Sequence, residues 1–212
     1  MQIVINIHIF IQIPLNAMAR HRKFDKKKVL ENATSIFWKQ GFSDTSIQDL
    51  VDHTGINRAS LYDSFQDKHD LFESCFLEYR DKVFAFTRDV FSKQGTIKEG
   101  FEILFKEITE GLYADKEKKG CLICNSYTEL LPPKKHRDYY FIYQTKDLWI
   151  DILISYLEKA IENKEIIKQD INTKEISHSI YGSLLGVTIL SKTNTNIKEL
   201  EGNLKIHLSI FK

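Results

Sequence analysis

Apolar residues along most of this chain recur at steps of three and four, which is the spacing of one face of an α-helix. Asn, Asp, Ser or Thr precedes several of these stretches, where a helix N-cap is expected. The pattern predicts eight helices, and a shorter apolar segment over residues 121–131 brings the total to about nine. The eight helices span residues 25–40, 46–54, 57–65, 67–91, 97–112, 138–163, 172–190 and 196–211. The chain is therefore predicted to be all-α.

The N-terminal residues 1–17 depart from this pattern. Isoleucine occupies positions 3, 5, 7, 9, 11 and 13, a period of two, and no lysine or arginine precedes Arg20. A signal peptide would carry positive charge ahead of its apolar stretch, and a lone strand in a helical chain has no partner. We therefore expect Met18 to be the true start and residues 1–17 to be an untranslated leader, with a disordered tail as the alternative.

Composition supports the helical prediction and narrows the classes of function. The 212 residues include 3 Pro and 9 Gly, which leaves few places for the turns of a β-rich fold. The chain has 30 Lys plus Arg against 29 Asp plus Glu, a formal charge of +1. This balance excludes a polybasic coat for nucleic acid or membrane but allows a local basic patch. No stretch reaches the roughly 20 apolar residues of a membrane-spanning helix.

Motifs for catalysis are missing from the sequence. There is no P-loop, nucleophile elbow, His-Glu-x-x-His or glycine-rich dinucleotide turn, and the 7 His are scattered. The cysteines, Cys75, Cys121 and Cys124, are too few for a disulfide framework and indicate a reducing cytoplasm. Cys121 and Cys124 form a C-x-x-C, but no second pair or neighbouring His completes a zinc site. We expect no enzymatic activity, cofactor or metal.

Two short helices separated by a glycine turn lie near the N-terminus. Either Thr45 or Ser46 caps the first helix, which ends at Gly55, and Asn57 caps the second. This is the arrangement of a helix-turn-helix, whose second helix lies in the major groove of DNA. Arg58 falls on the first turn of that helix, where a guanidinium can bond guanine at O6 and N7.

This segment resembles the N-terminal DNA-binding domain of the TetR/AcrR family of bacterial transcriptional regulators. The resemblance covers about forty-five residues from the first helix onward. The matching positions are Gly41 with Phe42, Thr45, Gly55 with Ile56, Leu61 with Tyr62, Phe65, Lys68 and Leu71. The resemblance implies that residues 18–70 form a helix-turn-helix domain and that residues 71–212 form a helical domain for effector binding and dimerisation.

Eight residues in or beside the two short helices are candidates for contact with double-stranded DNA. Gln48 lies where family members often place a base reader, and glutamine fits adenine N6 and N7. Tyr62 and Lys68 look like the family's contacts to the DNA backbone. The complete set is Thr45, Gln48, Arg58, Ala59, Ser60, Tyr62, Ser64 and Lys68.

Charged residues around this motif include some that oppose DNA binding and some that favour it. Asp52 and Asp63 would repel phosphate, although an aspartate can accept from cytosine N4. Six basic residues against Asp25 give a local charge of 6 − 1 = +5 just before and within the first helix. These residues form either a solvated face or an arm that grips phosphates or the minor groove. They are Arg20, Arg22, Lys23, Lys26, Lys27 and Lys28.

The rest of the chain contains candidates for dimerisation. Residues 120–130 read GCLICNSYTEL and resemble a segment of one AcrR-like subgroup. The family usually dimerises through two long helices of each subunit, for which residues 138–163 and 173–190 are the candidates. The second contains Gly182, Ser183 and Gly186, which either permit close approach of a partner helix or serve packing within the chain.

Cys121, Cys124, Tyr127 and Trp149 are the candidates for an effector or redox site. The C-x-x-C spacing places both thiols on one helix face, where they are either buried and inert or sense an oxidant or electrophile. Aromatic residues form either an effector pocket or ordinary core. Those considered are Tyr113, Tyr127, Tyr143, Trp149 and Tyr181.

Together these features favour a cytoplasmic, sequence-specific DNA-binding regulator. The resemblance implies a homodimeric repressor that a small-molecule or redox signal releases from a palindromic operator. The alternative is an all-helical protein-interaction module whose degenerate helix-turn-helix no longer binds DNA, a reading favoured by the near-neutral charge and by Asp63.

Overall fold

The structure, a computed structural model, describes residues 25–130, 139–166, 171–193 and 195–212. These residues form nine α-helices and no strand beyond one isolated β-bridge, which confirms the all-α prediction. The helices are α1 Lys26–Gln40, α2 Ile47–Thr54, α3 Arg58–Ser64, α4 Lys68–Ser92, α5 Ile97–Ala114, α6 Leu122–Leu130, α7 Tyr140–Glu162, α8 Thr173–Leu190 and α9 Ile197–Lys205. None of these helices is long and apolar enough to cross a membrane.

Some predictions concern residues outside the described ranges. They are the leader over residues 1–17, the start at Met18, the basic residues Arg20, Arg22 and Lys23, the last residue of the segment predicted over 121–131, and the first residue of the helix predicted over 138–163.

Side-chain caps begin the N-terminal helices at the predicted places. Asp25 caps α1 and Asn57 caps α3, where its Oδ1 accepts from the backbone N–H of residue 60 at 2.8 Å. For α2 the cap is Ser46, which forms a reciprocal capping box with Asp49. Each such cap contributes about 1 kcal/mol to helix stability. Thr45, the other candidate, is fully buried.

Two hydrophobic clusters hold the helices together. The first joins α1, α2, α3 and the N-terminal half of α4. It is completed by α6 and the start of α7, which contribute Leu122, Ile123, Leu130, Tyr139, Phe141 and Ile142. The second cluster joins the C-terminal half of α4 with α5, α7, α8 and α9. Apolar packing therefore crosses residue 70, and the division of the chain at that point stays a prediction.

Helix α4 belongs to both clusters. Phe72 and Phe76 lie in the first cluster, whereas Phe84 and Phe91 lie in the second. All four side chains are at most 7% exposed. Because one continuous helix of 25 residues carries both sets, the N-terminal helices are joined rigidly to the rest of the chain.

The C-terminus differs from the prediction of a single helix to residue 211. Helix α9 is followed by the 3-10 helix Ile206–Ile210. The tighter winding brings Phe211 against Phe101, with ring centroids 5.7 Å apart. The backbone N–H of Lys212 then donates to the carbonyl of Glu165 at 2.8 Å. The 3-10 turn is therefore followed by a buried aromatic residue that closes the second cluster.

Gly41 ends α1 with a φ of +88°, in the region that favours glycine. A Cβ at this position would lie 2.9 Å from a carboxylate oxygen of Glu129 in α6. The glycine therefore serves both the turn and the close approach of α6.

Candidate functional site

Helices α2 and α3 form the helix-turn-helix. Gly55 connects them in the left-handed conformation with a φ of +72°. Leu50, Ile56 and Leu61 are buried and hold the two helices against the first cluster. The opposite side of α3 faces outward, and Tyr62 is 43% exposed there.

Four predicted contact residues lie on or beside the outward face of α3. Arg58 and Ala59 are exposed, and the Arg58 guanidinium has no hydrogen bond or ion pair with the residues that the structure describes. Ser60 and Ser64 are half-buried, and the Ser60 N–H is used by the cap of the helix. Arg58 is therefore free to contact a base edge or phosphate.

Gln48 lies exposed on α2 and is oriented by a neighbour. Its amide nitrogen donates to the carboxylate of Asp52 at 2.9 Å, one helical turn further along. The amide keeps its oxygen and its second N–H, which are the groups that pair with adenine N6 and N7. Asp52 therefore acts on the amide of Gln48, a role that the sequence analysis did not assign.

Thr45 has a different role from the one predicted. Its side chain is fully buried, and its hydroxyl donates to the carbonyl of Gly41 at 2.5 Å. The prediction of a side-chain contact to DNA at this residue is corrected, because the hydroxyl holds the loop between α1 and α2.

Lys68 is engaged by the same loop. Its ammonium donates to the carbonyls of Phe42 and Thr45, each at 2.8 Å, and lies 4.3 Å from the centroid of the Phe42 ring. Burial lowers the pKa of Lys68, and the nearby carboxylates of Glu129 and Asp44 oppose that effect. Two of its three protons therefore stabilise the loop, which leaves one for a phosphate.

The described part of the basic segment is exposed. Lys26, Lys27 and Lys28 lie on the first turn of α1, and the Lys26 ammonium is 5.3 Å from the centroid of the Phe65 ring at the end of α3. Lys26 therefore lies near the C-terminal end of α3, and the positive charge of this exposed turn favours DNA phosphates.

A cavity of about 830 Å³ lies between α1 and the C-terminal helices. Its lining comes from α1, α4, α5, α7 and α8 and from the segment that starts α6. The volume is within the range of small-molecule sites. Aromatic, aliphatic and thiol groups in the lining include Trp38, Tyr79, Phe86, Ile108, Leu112, Cys121, Cys124, Trp149, Tyr181 and Leu184.

The predicted aromatic residues separate into two groups. Trp149 and Tyr181 line the cavity, and Tyr127 lies behind them with its hydroxyl 2.6 Å from that of Tyr181. Tyr113 and Tyr143 do not line it and are 58% and 37% exposed. Of the two alternatives, effector pocket or ordinary core, neither therefore applies to these two residues.

Cys121 and Cys124 both line the cavity as free thiols. Cys121 is half-buried and accepts from the Tyr79 hydroxyl at 3.6 Å. Cys124 is buried, and burial raises the pKa of its thiol to about 11. Among the described residues, the group of side chains spaced to hold a metal lies elsewhere, at the start of α4, and includes neither thiol.

Helix α6 connects the cavity to the helix-turn-helix. At its start, the Trp38 indole N–H donates to the Gly120 carbonyl at 3.1 Å. At its end, the two carboxylate oxygens of Glu129 accept from the backbone N–H groups of Phe42 and Ser43 at 3.0 and 2.5 Å. Movement of α6 would therefore displace the loop that precedes α2.

Sequence reasoning missed the contributions of Trp38, Asp52 and Glu129. Asp52 lies four residues after Gln48, so helical spacing could have found that pair. Trp38 and Glu129 act on residues 82 and 87 positions away, for which the sequence offers no local signal.

A helix-turn-helix with an outward second helix, joined to a helical body that carries an open cavity, is the arrangement of a DNA-binding protein with room for a small ligand. The family model for bacterial regulatory proteins of the tetR family matches residues 29–75. The HTH-type transcriptional regulator YezE of Bacillus subtilis is 31% identical over 193 residues, which cover 91% of this chain and 99% of the relative. The chain belongs to the TetR family of bacterial transcriptional regulators.

Two further similarities agree with this assignment. The HTH-type transcriptional repressor ComR of Escherichia coli is 29% identical over 114 residues, covering 53% of this chain and 54% of ComR. A cysteine mutant of the TetR family regulator CifR, complexed with 26-bp operator DNA, shares the fold with a TM-score of 0.76. That similarity covers 92% of this chain and 100% of the CifR chain at 20% identity.

The protein is therefore a DNA-binding transcriptional regulator. The family consists of regulators and not of enzymes, which confirms the expectation drawn from the missing catalytic motifs. The comparisons give no support to the alternative of an interaction module that has lost DNA binding.

Substitutions of Lys68 and Lys28 can be compared to separate the stabilisation of the loop from contact with DNA phosphates. We expect Lys68→Met to lower the free energy of unfolding by about 1–3 kcal/mol, because two carbonyls lose a charged donor. Lys28→Met should leave that free energy within about 0.5 kcal/mol of wild type and reduce the salt slope of DNA affinity by about 1.

Urea unfolding and titration of duplex DNA at several salt concentrations measure both quantities. If Lys68→Met left stability unchanged and reduced the salt slope by about 1, Lys68 would be a phosphate contact and not a loop anchor.

The thiols should react with iodoacetamide in an order set by burial. Cys121 is expected to react first at pH 7, because it is partly exposed whereas Cys75 and Cys124 are buried. Burial raises the pKa of Cys75 to about 12 and that of Cys124 to about 11. Because the thiolate is the reactive form, the rate at Cys124 should rise about tenfold per pH unit between pH 7 and 10.

Peptide mass spectrometry after timed labelling measures the three rates, with urea-unfolded protein as the control for intrinsic reactivity. Equal rates at Cys121 and Cys124 in the folded protein at pH 7 would contradict this order.

Proposed function

We propose that this protein is a homodimeric, cytoplasmic repressor that a small molecule bound in the cavity releases from a palindromic operator. The observation that supports this most directly is that α6 both lines the cavity and holds the loop leading into α2, while α1, which also lines the cavity, runs directly into that loop. A ligand that displaces either helix would therefore alter the placement of the DNA-reading surface. Operator and effector would then oppose each other's binding by linkage.

The proposed contacts to DNA follow the exposed face of the helix-turn-helix. Arg58 reads guanine, Gln48 reads adenine with its amide oriented by Asp52, and Tyr62 contacts the backbone. Ala59, Ser60 and Ser64 lie beside them on α3, and Lys68 has one proton left for a phosphate. Lys26, Lys27 and Lys28 add attraction that does not depend on sequence.

The dimer is proposed to form across α8, one of the two helices predicted for it. A Cβ at Gly182 or Gly186 would meet no atom within 4 Å, so packing within the chain does not require glycine there. Glycine inside a helix costs about 1 kcal/mol relative to alanine, which a close helix partner would offset. Gly202 and the 69% exposed Ile206 extend this face onto α9 and beyond. The helix predicted over 138–163 is proposed as the second helix that each subunit contributes to the same interface.

A redox or electrophile signal at Cys121 is the second route of release within this proposal. The supporting observation is that the partly exposed thiol lines the cavity beside Tyr79. If the thiol is the sensor, Cys121→Ser should keep operator binding and lose release by oxidant. Release equal to that of wild type would remove this route.

Selection of bound sequences from random duplex DNA, at two salt concentrations, tests the repressor proposal. We expect a palindrome to be enriched, because a two-fold dimer presents two recognition helices to two half-sites. Arg58→Ala should relax preference at one base of each half-site, at a cost of about 1–3 kcal/mol.

Gln66→Ala, an exposed residue just after α3 that is outside the proposed contacts, is the control for general damage near α3 and should select the wild-type half-site. Binding that shows no enriched sequence and only falls with salt would contradict a sequence-specific operator.

The link through Glu129 can be tested without knowing the effector. In Glu129→Ala the backbone amides of Phe42 and Ser43 lose a charged acceptor, so we expect their hydrogen exchange to accelerate about tenfold or more. Operator affinity should fall because the helix-turn-helix is held less firmly.

NMR-detected exchange measures the two amides individually. Glu117→Gln is the matched control, because it weakens the exposed contact of Lys39 with Glu117 and leaves the loop untouched. Unchanged exchange at both amides in Glu129→Ala would show that the carboxylate does not hold the loop.

A further inference from the structure

The walls of the cavity are rich in aromatic side chains, which favour an aromatic ligand. Trp38, Tyr79, Phe86, Trp149 and Tyr181 contribute five aromatic side chains from four helices. Trp38 and Tyr79 already pack edge to face, with centroids 5.0 Å apart. A flat ring system placed among such walls gains both hydrophobic burial and stacking contacts.

The charged groups in the lining do not provide a site for an anion. The Lys119 ammonium lies 2.8 Å from Glu117 and 3.4 Å from Asp115, and Lys82 lies 2.6 Å from Glu78. Each lysine of the lining is therefore already paired with a carboxylate. A carboxylate ligand would have to break one of these pairs or enter without a counter-charge, which is costly in an apolar cavity.

Carboxylates of the lining do not build a cation site either. Glu31 and Glu107 are exposed, so both are solvated at the edge of the cavity. Asp115, the third acidic residue of the lining, is paired with Lys119. A cationic ligand would lose its own hydration without meeting a desolvated counter-charge.

The tyrosine hydroxyls at the cavity are hydrogen-bond donors that lack a strong acceptor. The hydroxyls of Tyr181 and Tyr127 lie 2.6 Å apart, so whichever one donates, the other proton has no acceptor among the described residues. The Tyr79 hydroxyl donates to the thiol of Cys121, which is a weak acceptor. Burial raises the pKa of all three phenols, so they remain protonated donors.

We propose that the cavity binds an uncharged, predominantly aromatic molecule that carries a hydrogen-bond acceptor, such as an aryl ketone or aryl ester. The carbonyl accepts from the Tyr181 or Tyr79 hydroxyl, and the ring lies among the aromatic walls. This inference rests on the proposed function in treating the cavity as the effector site, but the chemistry of the cavity is testable by itself.

Four naphthalene probes of similar size separate charge from hydrogen bonding. They are 2-acetylnaphthalene, 2-ethylnaphthalene, the anion 2-naphthoate and the cation (2-naphthyl)trimethylammonium. Calorimetric titration of the full chain gives each Kd. Both Trp residues of the chain line the cavity, so quenching of tryptophan emission reports whether a probe binds there.

We expect 2-acetylnaphthalene to bind most tightly, at least tenfold more tightly than either charged probe. Tyr181→Phe or Tyr79→Phe should weaken 2-acetylnaphthalene about fivefold to tenfold, the effect of one hydrogen bond, and leave 2-ethylnaphthalene unchanged. Tyr113→Phe, an exposed tyrosine outside the cavity, is the control and should change neither probe.

Tightest binding by an anion or cation would overturn the proposal, as would no binding of any probe. Equal binding of the acetyl and ethyl probes, unaffected by either Tyr variant, would overturn the claim that the cavity selects a hydrogen-bond acceptor. If 2-acetylnaphthalene binds as expected and yet does not release the selected operator, the ligand chemistry stands and the effector role of the cavity fails. If no palindrome is selected, the repressor proposal fails independently.

Discussion

The loop between α1 and α2 depends on two opposite charges delivered from other parts of the chain. Glu129 accepts from the backbone N–H groups of Phe42 and Ser43, and Lys68 donates to the carbonyls of Phe42 and Thr45. Partly buried backbone groups must find partners, and this loop has no helix or strand to supply them. The anion and the cation together satisfy the loop from both sides, and they place α2 relative to α4 and α6.

The same loop contacts explain how the cavity and the helix-turn-helix can be linked within one rigidly packed chain. Helix α4 joins both hydrophobic clusters, so the helix-turn-helix has no hinge of its own along that helix. Helix α6, by contrast, meets the cavity with Cys124 and meets the loop with Glu129. A coupling free energy of about 1–3 kcal/mol between two sites needs only a small change in such a shared element.

The DNA-reading surface works with little net charge. The chain has a formal charge of +1, so long-range attraction to DNA must come from local groups such as Lys26, Lys27 and Lys28. Asp52, which would repel phosphate, orients the amide of Gln48 instead. Attraction to phosphates that does not depend on sequence is therefore expected to be weaker here than in a strongly basic protein.

The sequence by itself determined the helices, most of their caps, the helix-turn-helix and the family. These features depend on side chains within one or two helical turns of each other, as in the capping box of Ser46 and Asp49. Only the tertiary structure decided that Thr45 is buried, that Lys68 anchors a loop, and that Trp38 and Trp149 face one cavity. The Lys68 contacts join residues 23 and 26 positions apart, and the Trp38 contact beside the cavity spans 82 positions. No local periodicity encodes which distant side chains will meet.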